Sequence, residues 1–336
     1  MLSADGAAHK RGKVGRVQYR TMGRTGLKVS ALCLGGNVFG WTADEEASFA
    51  VLDAFMEGGG NFIDSADVYS RWVPGHVGGE SETVLGTWMA ARGNRHDVIL
   101  ATKMGSAMGD GPNDGKLSRF QIMARVEDSL HRLQTDYIDL YQTHRDDTGT
   151  PQEETARALD DLVRAGKVRY LGASNFKAYR LSQALSLSDH AGYERYATYQ
   201  PPYSLVNRKI EDEVQPLCAE QGVGIISYSS LGSGFLTGKY REGGAMPTSP
   251  RAGGIEGRYM NAQGYAVLGA MDAVTGRTGA THAQVALAWL LAKPAIAAPI
   301  ASATTAAQTR ELLAATDVQL DADSLRELDA ASAAFA

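Results

Sequence analysis

The sequence predicts a single α/β domain built as a (β/α)8, or TIM, barrel. Strand-like and helix-like stretches alternate eight times along its 336 residues. Regular alternation of this kind implies a parallel sheet, and eight units favour closure into a barrel over an open sheet. No break in composition marks a second domain. We assign residues 18–336 to the barrel and residues 1–17, which are basic but lack an apolar stretch, to a flexible N-terminal tail.

Eight apolar runs predict the strands. They span residues 30–36, 61–66, 97–104, 137–144, 168–175, 196–200, 223–229 and 295–302. Most connections after these runs are short, but those over residues 70–79 and 231–264 are long. The second is rich in Gly, Pro and Arg, and we expect it to be mobile.

The stretches between the strands carry helical patterns. An apolar residue recurs every three or four positions from Ile122 to Leu133, and Ser118 precedes this stripe as an N-cap. Another helix is predicted between Pro151 and Gly166, with proline just inside its start and glycine just past its end.

Composition excludes several classes of function. The formal charge of −5 argues against nucleic acid or an anionic membrane as a partner. No stretch approaches the roughly 18 apolar residues of a membrane-spanning helix. The two cysteines, Cys33 and Cys218, cannot form a disulfide framework, and Cys33 lies in an apolar run typical of a buried residue. We therefore expect a cytoplasmic protein.

Four chemically active residues stand at or just beyond the ends of predicted strands. Asp64 follows the run NFI, Lys103 follows VILAT and His144 follows YIDLYQT, while Tyr69 lies in the loop after Asp64. The active sites of α/β barrels lie at the C-terminal ends of the strands. The sequence therefore predicts that these four side chains meet at one mouth of the barrel.

This set of residues suits protonation of a carbonyl oxygen while a hydride reaches its carbon. A free tyrosine has a pKa near 10, and the ammonium of Lys103 is expected to lower it by stabilising the phenolate. Asp64 keeps Lys103 protonated, and His144 donates a hydrogen bond to the substrate oxygen. Taken singly, these residues have ordinary alternatives, since aspartates form turns, histidines are structural and lysines are solvated. The prediction depends on their combination.

The motifs NFIDSADVY, ATKMG, QTH and VRYLGASNF together resemble the aldo-keto reductase family. The resemblance extends from about Tyr19 to Leu328. It implies that Tyr69 is the proton donor, that Lys103 and Asp64 adjust its acidity, and that His144 positions the carbonyl.

The resemblance also implies a site for a nicotinamide cofactor. Ser174, Asn175 and Gln200 match residues that bind the carboxamide, and Tyr228 matches the aromatic on which the ring stacks. The segment 229–240 matches a loop that folds over the pyrophosphate. Its expected contacts come from Ser229, Leu231, Gly232, Gly234, Leu236, Gly238 and Lys239. Glycines permit close backbone approach, and lysine adds positive charge; an ordinary glycine-rich surface loop is the alternative.

The last cofactor segment, residues 299–312, departs from the usual pattern of the family. Ser302, Thr304, Gln308 and Glu311 are its expected contacts, but no arginine stands where many relatives use one to hold a 2′-phosphate. We expect NADPH as the cofactor, with NADH as a weaker alternative. No G-x-G-x-x-G fingerprint follows the first predicted strand, which disfavours a Rossmann dehydrogenase.

Aromatic residues of the first two βα loops predict a substrate pocket. Phe39, Trp41 and Trp72 are expected to rim it, unless they pack under their own loops. Arg71 offers a charge for an acidic substrate, although a solvated arginine is the ordinary alternative.

Three classes of function remain to be compared. The leading one is an NAD(P)H-dependent aldo-keto reductase acting on a small aldehyde, ketone or alcohol. The second is an NADPH-binding regulatory subunit with little turnover, like the channel-associated members of the family. The third is a metal-dependent barrel hydrolase, disfavoured because the seven histidines include no H-x-H pair. The oligomeric state stays open.

Overall fold

The computed structural model describes residues 17–248 and 252–336. The tail predicted for residues 1–17 lies outside the described residues except for Val17, which is buried. Within the described ranges, every helix is too short or too polar to cross a membrane.

Eight parallel strands form a closed barrel. In chain order, the strands are β1 (Tyr19–Thr21), β2 (Lys28–Ser30), β3 (Cys33–Gly35), β4 (Phe62–Asp64), β5 (Ile99–Met104), β6 (Ile138–Thr143), β7 (Val168–Ser174), β8 (Tyr196–Gln200), β9 (Gly224–Ile225) and β10 (Ile300–Ala301). The parallel sheet has the order β10-β3-β4-β5-β6-β7-β8-β9. A parallel bridge between Ile225 and Ile296, and a 2.8 Å hydrogen bond from the Ile300 N–H to the Ser227 carbonyl, join its two edges. The predicted fold class is confirmed.

Each of the eight predicted strands contains an observed one; β8 has the predicted bounds, and the other seven observed strands are shorter. The differences are largest for 295–302 and 223–229, of which only the two-residue strands β10 and β9 are paired. In the second of these runs the backbone leaves the extended conformation at the end, where Ser229 has a φ of 55°. This bend turns the chain toward the loop that we expected to bind the cofactor.

Helices cover the outside of the barrel. They are α1 (Glu45–Glu57), α2 (Glu80–Arg92), α3 (Arg119–Leu133), α4 (Gln152–Arg164), α5 (Ala178–Ala191), α6 (Val214–Gln221), α7 (Ala252–Tyr259), α8 (Ala262–Thr278), α9 (His282–Leu291), α10 (Ala306–Leu313) and α11 (Ala322–Ala331). Ser118 caps α3 by accepting a hydrogen bond from the Gln121 N–H, as predicted. Pro151 is the N-cap of α4 and lies just outside the helix, not just inside it as predicted.

The apolar side chains form two separate clusters. One fills the inside of the barrel, and its members include Cys33, Phe62, Ile99 and Leu140. The larger cluster lies between the strands and the surrounding helices. Cys33 and Cys218 are both buried and unpaired by disulfides, consistent with a packing role for Cys33.

An antiparallel hairpin of β1 and β2 precedes the barrel, and the sequence analysis did not predict it. Met22 and Val29 from this hairpin are buried in the interior cluster. Gly23, between the two strands, has a φ of 56°, and a Cβ there would lie 2.3 Å from the Ala197 carbonyl oxygen. Ala197 lies at the N-terminal end of β8, whereas the predicted site lies at the C-terminal ends of the strands. The hairpin therefore covers the end of the barrel opposite the predicted site.

The long connection over residues 231–264 contains ordered elements. A short 3-10 helix spans Gly232–Thr237, and α7 follows further along. Residues 249–251 lie outside the described part of the chain, so the expected mobility of this connection stays a prediction.

Candidate active site

A buried ion pair links the ends of β4 and β5. The Lys103 ammonium lies 2.5 Å from Oδ2 of Asp64, and both side chains are almost completely buried. Lys103 also donates to the Ser65 carbonyl at 2.7 Å. Burial opposes the charge on Lys103, but Asp64 and the Tyr69 phenol outweigh it and raise the lysine pKa above its usual range. Lys103 therefore carries its charge at neutral pH.

Two glutamine amides hold the other oxygen of Asp64. Gln142 on β6 and Gln200 on β8 each donate to Oδ1 of Asp64 at 2.9 Å. Gln200 also donates to the Gln142 side-chain oxygen at 3.2 Å. Side chains from three other strands, β5, β6 and β8, thus fix the position of one carboxylate.

The phenol of Tyr69 completes this network. Lys103 donates to the Tyr69 hydroxyl at 2.8 Å, and that hydroxyl donates a long 3.4 Å hydrogen bond to Asp64. The pKa of Tyr69 is raised to about 12, because burial and the negative charge of Asp64 outweigh the lowering effect of Lys103. The expected lowering of this pKa is therefore wrong for the free protein. The lysine acts in the expected direction, but the prediction omitted desolvation and the second charge.

His144 lies beside Tyr69 and is neutral. The two rings are 6.1 Å apart in an edge-to-face arrangement. Burial, and then the positive charges of Lys103 and Arg145, lower the His144 pKa to about 3. Its buried Nδ1 atom has no hydrogen-bond partner among the described residues. The barrel mouth thus holds a neutral imidazole next to the phenol.

Three of the four predicted catalytic residues, Asp64, Tyr69 and His144, line one open cleft of about 1150 Å³. Lys103 does not line it and lies behind Tyr69 and Asp64. Many of the residues predicted for cofactor binding line the same cleft. They are Ser174, Asn175, Gln200, Tyr228, Ser229, Leu231, Gly234, Lys239, Ser302, Thr304, Gln308 and Glu311. The structure therefore brings the two predicted groups of residues to a shared space.

Three residues of the predicted cofactor set do not line the cleft. Gly232 and Leu236 are buried in the 3-10 helix over Gly232–Thr237, and Gly238 caps that helix with a φ of 79°. Leu236 belongs to the hydrophobic cluster outside the barrel. These residues support the shape of the loop from behind.

Two of the three aromatic residues predicted to rim the substrate pocket lie at the cleft. Trp41 and Trp72 line the cleft and contact each other edge to face, with ring centroids 5.5 Å apart. Phe39 is instead fully buried in the hydrophobic cluster and does not line the cleft. The prediction for Phe39 is wrong because its apolar ring packs into this cluster beneath its own loop and not at the barrel mouth. Arg71 is exposed and lies outside the lining.

Sequence reasoning missed several residues at the site. Gln142 holds Asp64, Asn37 contacts the Ser302 hydroxyl at 2.5 Å, and Arg145 lines the cleft beside His144. Gln142 precedes His144 by two positions, and alternate residues of a strand point to the same side. A polar residue at that spacing was the available indication that Gln142 points inward.

Comparison with known proteins identifies the family. The model of the aldo/keto reductase family matches residues 31–333. The chain belongs to the aldo/keto reductase family. It is 38% identical to the uncharacterized oxidoreductase YrpG of Bacillus subtilis, over 93% of this chain and 95% of that protein. It is 35% identical to the aldo-keto reductase AFTS1 of Alternaria alternata, over 95% of this chain and 93% of that protein.

A relative with a different role has similar coverage. The chain is 34% identical to a probable voltage-gated potassium channel subunit beta of Arabidopsis thaliana, over 90% of this chain and 92% of that protein. As an aldo/keto reductase with oxidoreductase relatives, the protein is an oxidoreductase of a family that acts on small molecules and typically uses a nicotinamide cofactor.

The cleft of this aldo/keto reductase fits such a cofactor. Both N–H groups of Gln200 are used by Asp64 and Gln142, which leaves its carbonyl oxygen available to accept from a carboxamide. The Tyr228 hydroxyl donates to the Asn175 side chain at 2.9 Å, which fixes the ring at the cleft wall. Positive φ angles at Ser233 and Gly234 turn the backbone beside Lys239. Ser302, Thr304 and Gln308 provide further polar groups.

Residues 17–248 and 252–336 contain no cluster of three His, Cys, Asp or Glu side chains that could hold a metal ion. The hydrolase alternative therefore has no support from the geometry of these residues.

Asp67, in the loop between Asp64 and Tyr69, is a second buried carboxyl group. Neither of its side-chain oxygens has a hydrogen-bond partner in the described part of the chain, and the residue is fully buried. Burial and the nearby charge of Glu82 raise its pKa to about 8, although Arg132 opposes this. Asp67 therefore keeps a proton at neutral pH that the unfolded chain has lost.

This proton has a predictable effect on stability. Between about pH 4 and pH 8 the folded state binds more protons than the unfolded state, so the free energy of unfolding falls as pH rises. Asp67→Asn cannot ionise, and we expect its stability relative to the parent protein to increase over this range by up to about 5 kcal/mol. Urea denaturation at several pH values measures the difference. Asp136→Asn at an exposed position is the control, and an Asp67→Asn difference as flat as that of the control would contradict the assignment.

Proposed function

We propose that the protein is an NAD(P)H-dependent reductase that interconverts an aldehyde or ketone and its alcohol, with Tyr69 as the general acid and base. The observation that carries this proposal is the Tyr69 hydroxyl, which borders the cleft while it lies 2.8 Å from the buried Lys103 ammonium. A proton donor, a stabilising cation and a space for substrate thus meet at one point.

The proton step follows from this arrangement. A bound nicotinamide would supply hydride to the carbonyl carbon, and the carbonyl oxygen would then develop negative charge. Tyr69 gives its proton to that oxygen, and Lys103 stabilises the phenolate that remains. The pKa of about 12 in the free protein keeps the phenol protonated until this charge develops. An alkoxide is a stronger base than this phenolate, so the transfer is favourable, and solvent returns the proton to Tyr69.

His144 orients the carbonyl. A neutral imidazole carries one N–H that can donate to the substrate oxygen. Its low pKa means that it adds no positive charge to a mouth that already contains Lys103. The roles of proton donor and orienting donor are thereby separated between Tyr69 and His144.

The cofactor in this proposal is NADPH, with NADH as a weaker alternative. Ser174, Asn175 and Gln200 hold the carboxamide, Tyr228 supports the ring, and Lys239 with the turn over residues 229–238 binds the pyrophosphate. Thr304, Gln308 and Glu311 contact the adenosine end. The side-chain oxygen of Gln308 accepts from the Thr304 N–H at 2.9 Å and orders this segment. The described cleft lining at that end contains no arginine, so the preference for NADPH is modest.

A second candidate is supported by the potassium channel subunit relative. The protein would then bind the cofactor tightly, turn over slowly and regulate a partner. The intact network of Asp64, Tyr69 and Lys103 favours the enzyme. On either reading we place the protein in the cytoplasm.

Replacing Tyr69 with phenylalanine tests the proton donor. We expect Tyr69→Phe to lose a factor of about 100 to 10,000 in kcat, the range that general acid catalysis contributes, because only the hydroxyl is removed. A panel of sugars, steroids and small aldehydes provides the substrates, and a fluorescence titration reports NADPH affinity, which we expect to stay within about threefold. Tyr179→Phe, at an exposed position, is the matched control.

Two outcomes of this experiment would contradict the proposal. Activity of Tyr69→Phe at the parent level would remove Tyr69 as the acid. Tight NADPH binding by the parent protein without turnover of any compound would favour the regulatory subunit.

Cofactor selectivity is tested separately. We expect a kcat/KM for NADPH only a few times to tens of times that for NADH, since the described lining at the proposed adenosine end contains no arginine to hold a 2′-phosphate. Steady-state kinetics with both cofactors measure the ratio. Lys239→Gln should leave the ratio unchanged, because the pyrophosphate is common to both cofactors, and Lys209→Gln at an exposed position is its control. A clear preference for NADH would overturn this part of the proposal.

A further inference from the structure

Arg145 is a cation at the cleft that the proposed reaction does not use. It follows His144 directly and borders the cleft, and its side chain is exposed. Its guanidinium donates a long hydrogen bond of 3.4 Å to the Ser106 hydroxyl. Among the described residues, no carboxylate lies within ion-pair distance of its guanidinium.

The nearby carboxylates are held by other groups. Asp146 forms a two-pronged ion pair with Arg180, with both contacts at 2.8 Å. Asp147 accepts from the Thr150 hydroxyl at 2.6 Å and from the Leu117 N–H at 3.0 Å. Since these partners fix both acids, neither is free to neutralise Arg145.

The position of Arg145 distinguishes it from the expected cofactor contacts. Its charge acts on both His144 and Tyr228, and it helps to lower the pKa of the histidine. Lys239, in contrast, lies beside Gly234 on the loop proposed for the pyrophosphate. Arg145 therefore faces the end of the cleft where the carbonyl is expected to sit.

The carboxylates of the described lining do not compensate this charge. They are Asp64, which is paired with Lys103, and Glu311, which lies with Gln308 at the proposed adenosine end. The reacting end of the cleft thus combines one exposed guanidinium with the aromatic rings of Trp41 and Trp72. Guanidinium groups bind carboxylate and phosphate oxygens in pairs, and aromatic walls favour a flat or apolar body.

We propose that Arg145 recognises an anionic group, carboxylate or phosphate, on the substrate, so that the enzyme acts on carbonyl compounds that carry a negative charge near the aldehyde or ketone. The claim that the bound compound is reduced rests on the proposed function, whereas the claim that Arg145 binds an anion does not. Arg145 acts as a specificity-determining residue, since it holds the part of the substrate that does not react.

Matched ligands test the binding site without turnover. Benzoate, phenyl phosphate and uncharged benzamide are titrated into the protein saturated with NADP+, and the change in tryptophan fluorescence from Trp41 and Trp72 is followed. We expect one of the two anions to bind at least about tenfold more tightly than benzamide, because hydrogen bonds between charged groups are stronger than those to a neutral amide. The tighter anion identifies carboxylate or phosphate as the preferred group.

Three variants assign the effect. Arg145→Gln should lower the affinity for the preferred anion at least about tenfold, so that the anion no longer binds more tightly than benzamide. Arg145→Lys should keep part of the advantage, because it retains the charge but loses the paired geometry. Arg71→Gln, an exposed arginine outside the cleft lining, is the matched control and should bind like the parent protein. Equal anion affinity in Arg145→Gln and the parent protein, or no anion advantage in the parent, would overturn the proposal.

Turnover gives an independent readout. With NADPH, the ratio of kcat/KM for 4-carboxybenzaldehyde to that for neutral 4-nitrobenzaldehyde should fall at least about tenfold in Arg145→Gln. An unchanged ratio would contradict the role in specificity. If the parent turns over neither these aldehydes nor any compound of the substrate panel but still binds the anion through Arg145, the reductase proposal fails while the anion site stands.

Discussion

The buried ion pair of Lys103 and Asp64 is the interaction on which the site depends. A charge withdrawn from water at the mouth of a barrel is costly unless it is paired and hydrogen-bonded. Lys103 satisfies this requirement with the Asp64 carboxylate, the Ser65 carbonyl and the Tyr69 hydroxyl. Asp64 in turn needs the amides of Gln142 and Gln200 for its second oxygen.

This requirement connects the site to the fold. The participating residues come from β4, β5, β6 and β8, which meet only because the sheet closes into a barrel. A displacement of any of these strands would leave a buried charge or amide without its partner. The proposed catalytic arrangement and the correct strand register are therefore stabilised by the same contacts.

The network also determines how charge is distributed around the proposed reaction. Burial and Asp64 hold the proton on Tyr69, and burial together with two cations keeps His144 neutral. Lys103 is neutralised locally by Asp64, so the exposed positive charge near the reacting end is that of Arg145. A site of this kind stabilises negative charge that arises on a carbonyl oxygen and, by our inference, negative charge that the substrate brings.

Much of this arrangement could be predicted from the sequence, because local rules decide it. Apolar runs that end in Asp64, Lys103 and His144 identify strand ends, and barrel geometry places strand ends together. The predictions failed where the outcome depends on surroundings that the sequence does not display. The Phe39 ring packs beneath its own loop and not at the barrel mouth, and the hairpin of β1 and β2 is too short to show a clear alternating pattern.

The pKa of Tyr69 is the most instructive error. The effect of Lys103 was predicted with the correct sign, but the balance depends on burial and on Asp64, which only three-dimensional distances reveal. The role of Gln142 was missed for a related reason, since its importance arises from a partner 78 positions away in the chain.

A double-mutant cycle on Asp64 and Lys103 tests the central claim most directly. Asp64→Asn, Lys103→Met and the double variant are compared with the parent protein by their free energies of unfolding. We predict that each single change lowers the free energy of unfolding by about 3–5 kcal/mol. The double variant should lose at least about 2 kcal/mol less than the sum of the two single losses, because it leaves no unpaired buried charge. Additive single effects, with a coupling energy near zero, would contradict the account.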